Sequence, residues 1–141
     1  MNTDIYQDPI IEWSKRKEHE GPLLDADCRA TVNNRLCGDR VTVELRIEGE
    51  GIGEMSHQVK GCVLCNASSA HLAALAKGLT LDNIKTMRRD LDKALKSLKE
   101  DTSDFPVSHE IFWPVRSHKS RHSCLLLAYD AVIEALSSLT L

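Results

Sequence analysis

The sequence has few aromatic residues, no strong charge of one sign and no long hydrophobic run. Aromatic residues make up 4% of the 141 residues, which argues against a surface that stacks nucleic acid bases. Lysine and arginine number 18 against 21 acidic residues, and the net charge of −3 does not indicate a nucleic-acid-binding protein. No apolar stretch approaches the roughly 20 residues that a membrane helix needs. We therefore expect neither nucleic acid nor a membrane as a partner.

The start of the chain lacks the basic and apolar regions of a secretory signal, and we expect a cytoplasmic protein. Several enzyme motifs are missing as well: there is no glycine-rich phosphate loop, no G-x-S-x-G and no H-E-x-x-H. The remaining composition is ordinary for a globular protein, with 42% hydrophobic and 28% charged residues. The length predicts a single domain over residues 1–141.

Cysteine is the unusual component of this sequence. In a cytoplasmic chain an odd number of cysteines makes a disulfide framework a poor explanation. Metal ligation, sulfur chemistry and burial in the core remain. The five cysteines are Cys28, Cys37, Cys62, Cys65 and Cys124.

The hydrophobic pattern predicts an α+β fold, with strands first and helices after them. Alternation predicts strands with one apolar face over 25–33, 40–48 and 52–60, and a hairpin turn at Gly49-Glu50-Gly51. Thr80 is expected to cap a helix whose apolar stripe runs from Leu81 to Leu98. The predicted helices cover 4–18, 64–77, 81–98, 109–116 and 123–138. The prediction is a three-stranded antiparallel sheet with about five helices packed on one face.

Three cysteines fall at the ends of predicted elements. Cys37 follows the first strand, Cys62 follows the third, and Cys124 opens the last helix. In an antiparallel meander the loop after the first strand and the end of the third lie at the same end of the sheet. Cys37 and Cys62 are thus expected to be neighbours, and with Asp39 and Cys124 they offer donors suited to zinc. Thiolate-rich sites also suit iron–sulfur clusters, and buried core cysteines remain the alternative.

Two of these cysteines stand where thiols become reactive. Cys62 and Cys124 each precede or open a helix, and Lys60 and Arg121 are close in sequence. A helix N-terminus and a nearby cation both lower the pKa of a thiol. These are the conditions for a nucleophilic thiolate that accepts sulfur as a persulfide.

The strings around the three cysteines resemble those of a known family. The run Asn34-Arg35-Leu36-Cys37-Gly38-Asp39 resembles the N-P-x-C-G-D box of the NifU-like iron–sulfur assembly proteins, the IscU/SufU family. Gly61-Cys62 with Ala67-Ser68-Ser69, and the run RHSCLLLA over 121–128, resemble its second and third boxes. The boxes occur in family order, and weaker similarity extends from about Tyr6 to the C-terminus.

Two features place the resemblance closer to the longer SufU type. The interval between Cys62 and Cys124 contains the segment 81–108, which resembles the insertion of that type. Ser123 stands where the shorter IscU type has a histidine, and Arg121 matches an arginine of the SufU type.

The resemblance implies that zinc is held by Cys37, Asp39, Cys62 and Cys124. It also implies that sulfur is taken from a cysteine desulfurase, with Cys124 as the acceptor thiol and Arg121 beside it, and passed to downstream iron–sulfur assembly or apo-proteins. The protein would be at most a zinc-dependent sulfurtransferase partner of that desulfurase. In the first alternative, the same four residues hold iron or a transient [2Fe–2S] cluster for transfer to apo-proteins. In the second, the zinc only contributes folding energy.

The sequence departs from the family pattern at positions that shape the backbone or dock partners, although all four candidate ligands are retained. These positions are Arg35, His57, Val59, Lys119 and the run Lys17-Glu18-His19.

Other chemically active residues have simpler interpretations. Cys28 and Cys65 are interpreted as packed core cysteines, although Cys65 forms a C-x-x-C pair with Cys62. His57 and His71 are interpreted as surface or partly buried histidines. The basic stretch 116–121 is a candidate docking surface for an acidic partner, and His122 is either part of that stretch or a substitute ligand.

Overall fold

Three antiparallel strands in chain order form the sheet. A computed structural model describes residues 8–98 and 102–139, and residues 1–7, 99–101 and 140–141 lie outside it. The strands are β1 (Cys28–Asn33), β2 (Arg40–Glu48) and β3 (Gly51–Lys60), and β2 lies in the middle. In the register, Arg40 is opposite Lys60, and the ladder is irregular between Arg46 and Ile47. The predicted meander is confirmed, although the first strand begins at Cys28 and not at residue 25.

Alternation along β2 explains why one face of the sheet is covered. Val41, Val43 and Leu45 are fully buried, whereas the residues between them are only partly buried. Successive strand residues point to opposite faces, so a valine at every second position forms one apolar face.

Helices cover that apolar face. Helix α4 (His122–Ser137) packs against β1 and β2, and helix α2 (Val63–Leu75) packs against β3. Helices α1 (Asp8–Ser14) and α3 (Leu81–Leu95) pack on α2 and α4 respectively. The predicted α+β arrangement is therefore confirmed. In the described part of the chain, no helix is both long and apolar enough to cross a bilayer. Two 3₁₀ segments lie at Val107–Ser117 and Lys119–Arg121.

Helix α3 begins where the sequence predicted. The Thr80 hydroxyl accepts a hydrogen bond from the Asn83 backbone N–H at 3.2 Å, and the Asn83 side chain accepts one from the Thr80 N–H at 2.9 Å. This reciprocal cap satisfies two backbone donors that the helix leaves unpaired. The helix ends at Leu95, however, so the prediction for Leu98 is wrong. Leu98 lies past the helix and is 96% exposed.

Two other predicted helices differ from the observed ones. The N-terminal helix is shorter than 4–18: α1 ends at Ser14, and residues 4–7 of the prediction lie outside the described residues. The segment predicted as a helix over 109–116 is an 11-residue 3₁₀ segment containing Pro114. Proline has no backbone N–H to donate, which disfavours a regular α-helix there.

The interpretation of His57 and His71 as surface or partly buried residues is wrong. Their exposed fractions are 2% and 6%. The His71 ring packs edge-on against the rings of Trp13, His109 and Phe112, with centroids 4.8–5.3 Å apart. The His57 backbone bonds to residues 19 and 21, so this segment lies along the outer edge of β3 as a parallel bridge.

Candidate metal centre

The four residues predicted as ligands lie together at one end of the sheet. The donor atoms of Cys37, Asp39 and Cys124 are all within 4.8 Å of one another. The Sγ atoms of Cys37 and Cys124 are 3.3 Å apart, and Cys62 Sγ is 3.4 Å from Asp39 Oδ2. Cys37, Asp39 and Cys124 therefore form a compact set of three donors, and Cys62 adjoins this set through Asp39.

A short loop between β1 and β2 positions the first two donors. The Asn34 backbone N–H donates to the Asp39 carbonyl at 2.8 Å, and the Gly38 N–H donates to the Asn34 carbonyl at 2.7 Å. Gly38 has a φ of 77°, in the left-handed region that glycine adopts without steric cost. This closed loop places Cys37 at its exposed tip and Asp39 at its buried base.

Strand register brings Cys62 to the same place. Arg40 pairs with Lys60, so Asp39 and Gly61 lie side by side just beyond the ladder. A Cβ atom on Gly61 would lie 2.6 Å from Cγ of Asp39, closer than such atoms can approach. A glycine before Cys62 is therefore required for the Asp39 carboxylate to occupy its position.

Asn34 links the loop to the third cysteine. Its side-chain Nδ2 donates to the Ser123 hydroxyl oxygen at 2.8 Å and lies 3.8 Å from Cys124 Sγ. Its Oδ1 accepts a hydrogen bond from the Leu36 N–H at 3.0 Å. Asn34 is 6% exposed. Sequence reasoning did not select this residue, and the only sequence feature that pointed to it was its place in the first box.

The donor chemistry suits zinc, which binds thiolates and carboxylates tetrahedrally. Zn–S bonds of about 2.3 Å and Zn–O bonds of about 2.1 Å place two sulfurs about 3.8 Å apart, and a sulfur and an oxygen about 3.6 Å apart. The Cys37–Cys124 distance of 3.3 Å and the Cys62–Asp39 distance of 3.4 Å are both slightly shorter than these values. Cys62 lies outside the set of three donors that are mutually within 4.8 Å, so its side chain would have to shift to complete a four-ligand site.

Exposure decreases from one side of the cluster to the other. Cys37 is exposed and Cys62 is half-buried, whereas Cys124 is fully buried and Asp39 is 4% exposed. A molecule that approaches the cluster from solvent therefore meets Cys37 first.

The two helix-start cysteines differ in acidity. A hydrogen bond from Cys124 lowers the pKa of Cys62 to about 7. The same hydrogen bond, together with burial, raises the pKa of Cys124. The sequence had predicted a lowered pKa for both. For Cys124, donation to Cys62 and burial outweigh the effect of the helix start.

The remaining cysteines are part of the core, as predicted. Cys65 is fully buried and Cys28 is 9% exposed. Burial raises the pKa of both thiols. Cys65 is therefore not a reactive partner of Cys62 despite the C-x-x-C spacing.

Two basic residues precede Cys124. His122 Nε2 lies 3.2 Å from the Val115 carbonyl oxygen and 3.0 Å from that of Arg116, so this nitrogen is engaged by the backbone. Arg121 is half-buried at the start of α4. Its catalytic role stays a prediction.

Comparisons with known proteins agree with this architecture. The sequence model of the family described as NifU-like N terminal domain matches residues 5–139. The solved structure of a nitrogen-fixing NifU-like protein (N-terminal) from Brucella abortus is 34% identical, with a TM-score of 0.83 over 96% of this chain and 94% of that chain.

Curated relatives carry two kinds of name. The "Zinc-dependent sulfurtransferase SufU" of Bacillus subtilis is 22% identical over 91% of this chain and 86% of its own. The "Iron-sulfur cluster assembly scaffold protein IscU 1" of Archaeoglobus fulgidus is 29% identical over 61% of this chain, and the match spans 56% of that relative. On the family match over residues 5–139 and the similarity to the Brucella structure, this chain, whose curated relatives include IscU and SufU proteins, belongs to the NifU-like N-terminal domain family.

Proposed function

We propose that this protein acts in iron–sulfur cluster biogenesis as a zinc-dependent sulfur acceptor. Its cysteine site would take persulfide sulfur from a cysteine desulfurase and pass it on. The observation that carries the proposal is the gathering of three thiols and one carboxylate with one thiol open to solvent. The similarity to a relative named as a zinc-dependent sulfurtransferase supports it.

In this proposal Cys37, Asp39, Cys62 and Cys124 hold the zinc. A bound zinc ion would keep the thiols deprotonated at neutral pH, including Cys124, whose pKa is raised by its hydrogen bond to Cys62 and by burial. Asn34 would orient Cys124 from outside the ligand set, since its amide reaches both Ser123 and the Cys124 sulfur.

The transfer step needs no outside oxidant or reductant. The accepting thiolate attacks the outer sulfur of the donor's persulfide, a new S–S bond forms to the acceptor, and the donor's S–S bond breaks. The donor leaves as a thiolate, and the acceptor carries the outer sulfur as a persulfide. Passing the sulfur on repeats the step with this protein as the donor.

The difference in exposure gives Cys37 and Cys124 different roles in the proposed sulfur transfer. The sequence pointed to Cys124 as the acceptor, but Cys124 is fully buried and Cys37 is exposed. A donor therefore reaches Cys37 Sγ first in this conformation. Cys124 Sγ, 3.3 Å away, is placed to take the sulfur in a second transfer of the same kind.

A scaffold function is the second candidate. The same four donors would hold a transient [2Fe–2S] cluster for apo-proteins. Asp39 favours this reading, since a carboxylate binds iron more weakly than a thiolate does and would ease release. The Archaeoglobus relative is named as a scaffold protein.

The metal and acid-labile sulfide content of anaerobically purified protein separates these functions. About one zinc per chain without visible absorbance supports the sulfur acceptor. Iron with sulfide and charge-transfer bands supports the scaffold, and the absence of both metals overturns both proposals.

The Cys37→Ala variant tests the third possibility, a structural zinc domain. That possibility predicts an unfolded variant, whereas the first two predict a folded variant that has lost sulfur or cluster handling. Cys65→Ala is the matched control, because Cys65 lies in the core and outside the ligand set.

A further inference from the structure

A groove of about 640 Å³ runs from the cysteine cluster along α3 and α4. Its wall contains Leu36 and Ser123, the neighbours in sequence of Cys37 and Cys124, and also Leu98. A molecule lying in this groove would therefore contact residues that directly adjoin two of the cluster cysteines.

The groove combines exposed apolar surface with positive charge. Leu36 is 85% exposed and Leu98 is 96% exposed, although large apolar side chains are normally buried. Four cations and two carboxylates line the groove, so positive charge is in excess in a chain whose net charge is −3. The cations are Arg88, Lys96, Arg116 and Lys119, and the carboxylates are Asp92 and Asp130.

Both groove carboxylates are already engaged. Arg88 Nε lies 2.6 Å from Asp130 Oδ1, and Lys96 Nζ lies 3.2 Å from Asp92 Oδ2. Lys119 is exposed and forms no ion pair with any residue in the ranges 8–98 and 102–139. An acidic group that enters the groove thus meets Lys119 without displacing an internal carboxylate.

We propose that this groove binds an acidic peptide segment of the sulfur-donating protein, with an apolar residue between its carboxylates. The apolar side chain would cover Leu98 and Leu36, and the carboxylates would lie near Lys119 and its neighbouring cations. The bound segment would direct the donor's persulfide to Cys37, which follows Leu36 directly. This inference rests on the proposed sulfur-acceptor function.

Charge complementarity favours such a partner over a second copy of this chain. Attraction between a positive groove and an acidic segment speeds encounter and weakens as salt rises. The two exposed leucines supply contact area that salt does not weaken. Binding is therefore expected to lose part of its affinity, and not all of it, at high ionic strength.

Calorimetric titration of this protein with the cysteine desulfurase of the same organism tests the groove. Lys119→Glu and Leu98→Ser are each expected to weaken binding about tenfold, equivalent to about 1.4 kcal/mol. Both residues are exposed, so the variants should keep the zinc content and melting temperature of the wild type.

Matched controls use residues of the same type outside the groove. Lys85 is exposed on α3, and Leu24 is 82% exposed. Lys85→Glu and Leu24→Ser should bind the desulfurase as the wild type does. Groove variants that bind normally, controls that lose as much affinity, or a groove covered by self-association in sedimentation runs would each overturn the inference.

A second readout separates the groove from the sulfur-acceptor function. Glutathione persulfide is a small donor that needs no docking surface, and mass spectrometry counts the sulfur it transfers. The groove variants should accept sulfur from it at the wild-type rate while losing transfer from the desulfurase. If the wild type accepts no sulfur from either donor, the proposed function fails. The groove is then judged by the binding data alone.

Discussion

The Asn34 side chain donates a hydrogen bond to the Ser123 hydroxyl at 2.8 Å, across 89 positions of sequence. The same amide nitrogen lies 3.8 Å from Cys124 Sγ. One buried side chain therefore joins the loop that carries Cys37 and Asp39 to the helix that carries Cys124. Removing it should loosen the cluster without removing a donor atom.

Asn34→Ala is expected to lower zinc affinity about 10–100-fold, the usual cost of losing a residue that orients a ligand. Unfolding should become easier by about 1–2 kcal/mol, since the Leu36 N–H loses its acceptor. Competition with a chromophoric chelator measures the affinity. Asn33→Ala is the control, because Asn33 is exposed and bonds to Arg40. Equal zinc affinity in the two variants would show that Asn34 does not orient the zinc ligands.

Gly61→Ala should move the Asp39 carboxylate, because the new Cβ would lie 2.6 Å from Asp39 Cγ. Zinc affinity is expected to fall toward that of Asp39→Ala. Combining the two changes should cost much less than the sum of their separate effects, since Asp39 is what the new methyl group meets. Zinc titration of the four proteins measures the coupling, and additive losses would contradict it.

In the zinc-free protein, Cys62 is expected to react with iodoacetamide at lower pH than Cys124. The cause is the hydrogen bond from Cys124, which lowers the pKa of Cys62 to about 7. Cys124→Ala removes that donor and should raise the midpoint of Cys62 alkylation. Mass spectrometry after short pulses between pH 5.5 and 9 measures both residues. A lower midpoint for Cys124 than for Cys62 would reverse the assignment.

Acid should destabilise the protein through its buried histidines. Burial lowers the pKa of His109 to about 4, and burial also lowers the pKa of His71. The unfolded chain takes up protons near pH 6.5, whereas folded His109 stays neutral, so stability is lost as the pH falls from about 6.5 to about 4. At pH 4.5 the loss from His109 is about 2 kcal/mol relative to pH 7.

Urea unfolding at a series of pH values measures this loss. His109→Gln should reduce the slope, because the amide can still bond to Tyr129 and Ser108 but does not titrate in this range. His118→Gln makes the same substitution at a less buried position, and comparing the two variants isolates the contribution of His109. If the free energy of unfolding falls equally with pH in the wild type and in His109→Gln, His109 is not the cause of the acid destabilisation.

The sheet was predictable because its pattern is local. Alternating valines in β2 and the turn at Gly49-Glu50-Gly51 determine a meander, and the meander already places Cys37 near Cys62. The cap at Thr80 was equally local.

The failed predictions depend on packing between distant segments. Alternation along β3 puts His57 on the same face as Met55, and the register pairs it with the fully buried Val43, so His57 is covered by the helices packed on that face. The residue type suggested exposure, and the packing of the helices decided against it. The exposure of Leu98 depends on where α3 ends. The acidity order of Cys62 and Cys124 depends first on which thiol donates the hydrogen bond between them and then on burial, and a helix start alone cannot give that order.

The pairing of Arg40 with Lys60 also implies an order of assembly for the site. The β2–β3 hairpin is local in sequence, and closing it brings Asp39 beside Cys62. Cys124 joins only when α4 docks on β1 and β2, which requires contacts across a much longer stretch of chain. A chain whose meander has formed without α4 would therefore hold three of the four proposed ligands, Cys37, Asp39 and Cys62. Retention of the proposed zinc ion would then require complete folding, because a chain whose α4 has not docked lacks Cys124 as a ligand.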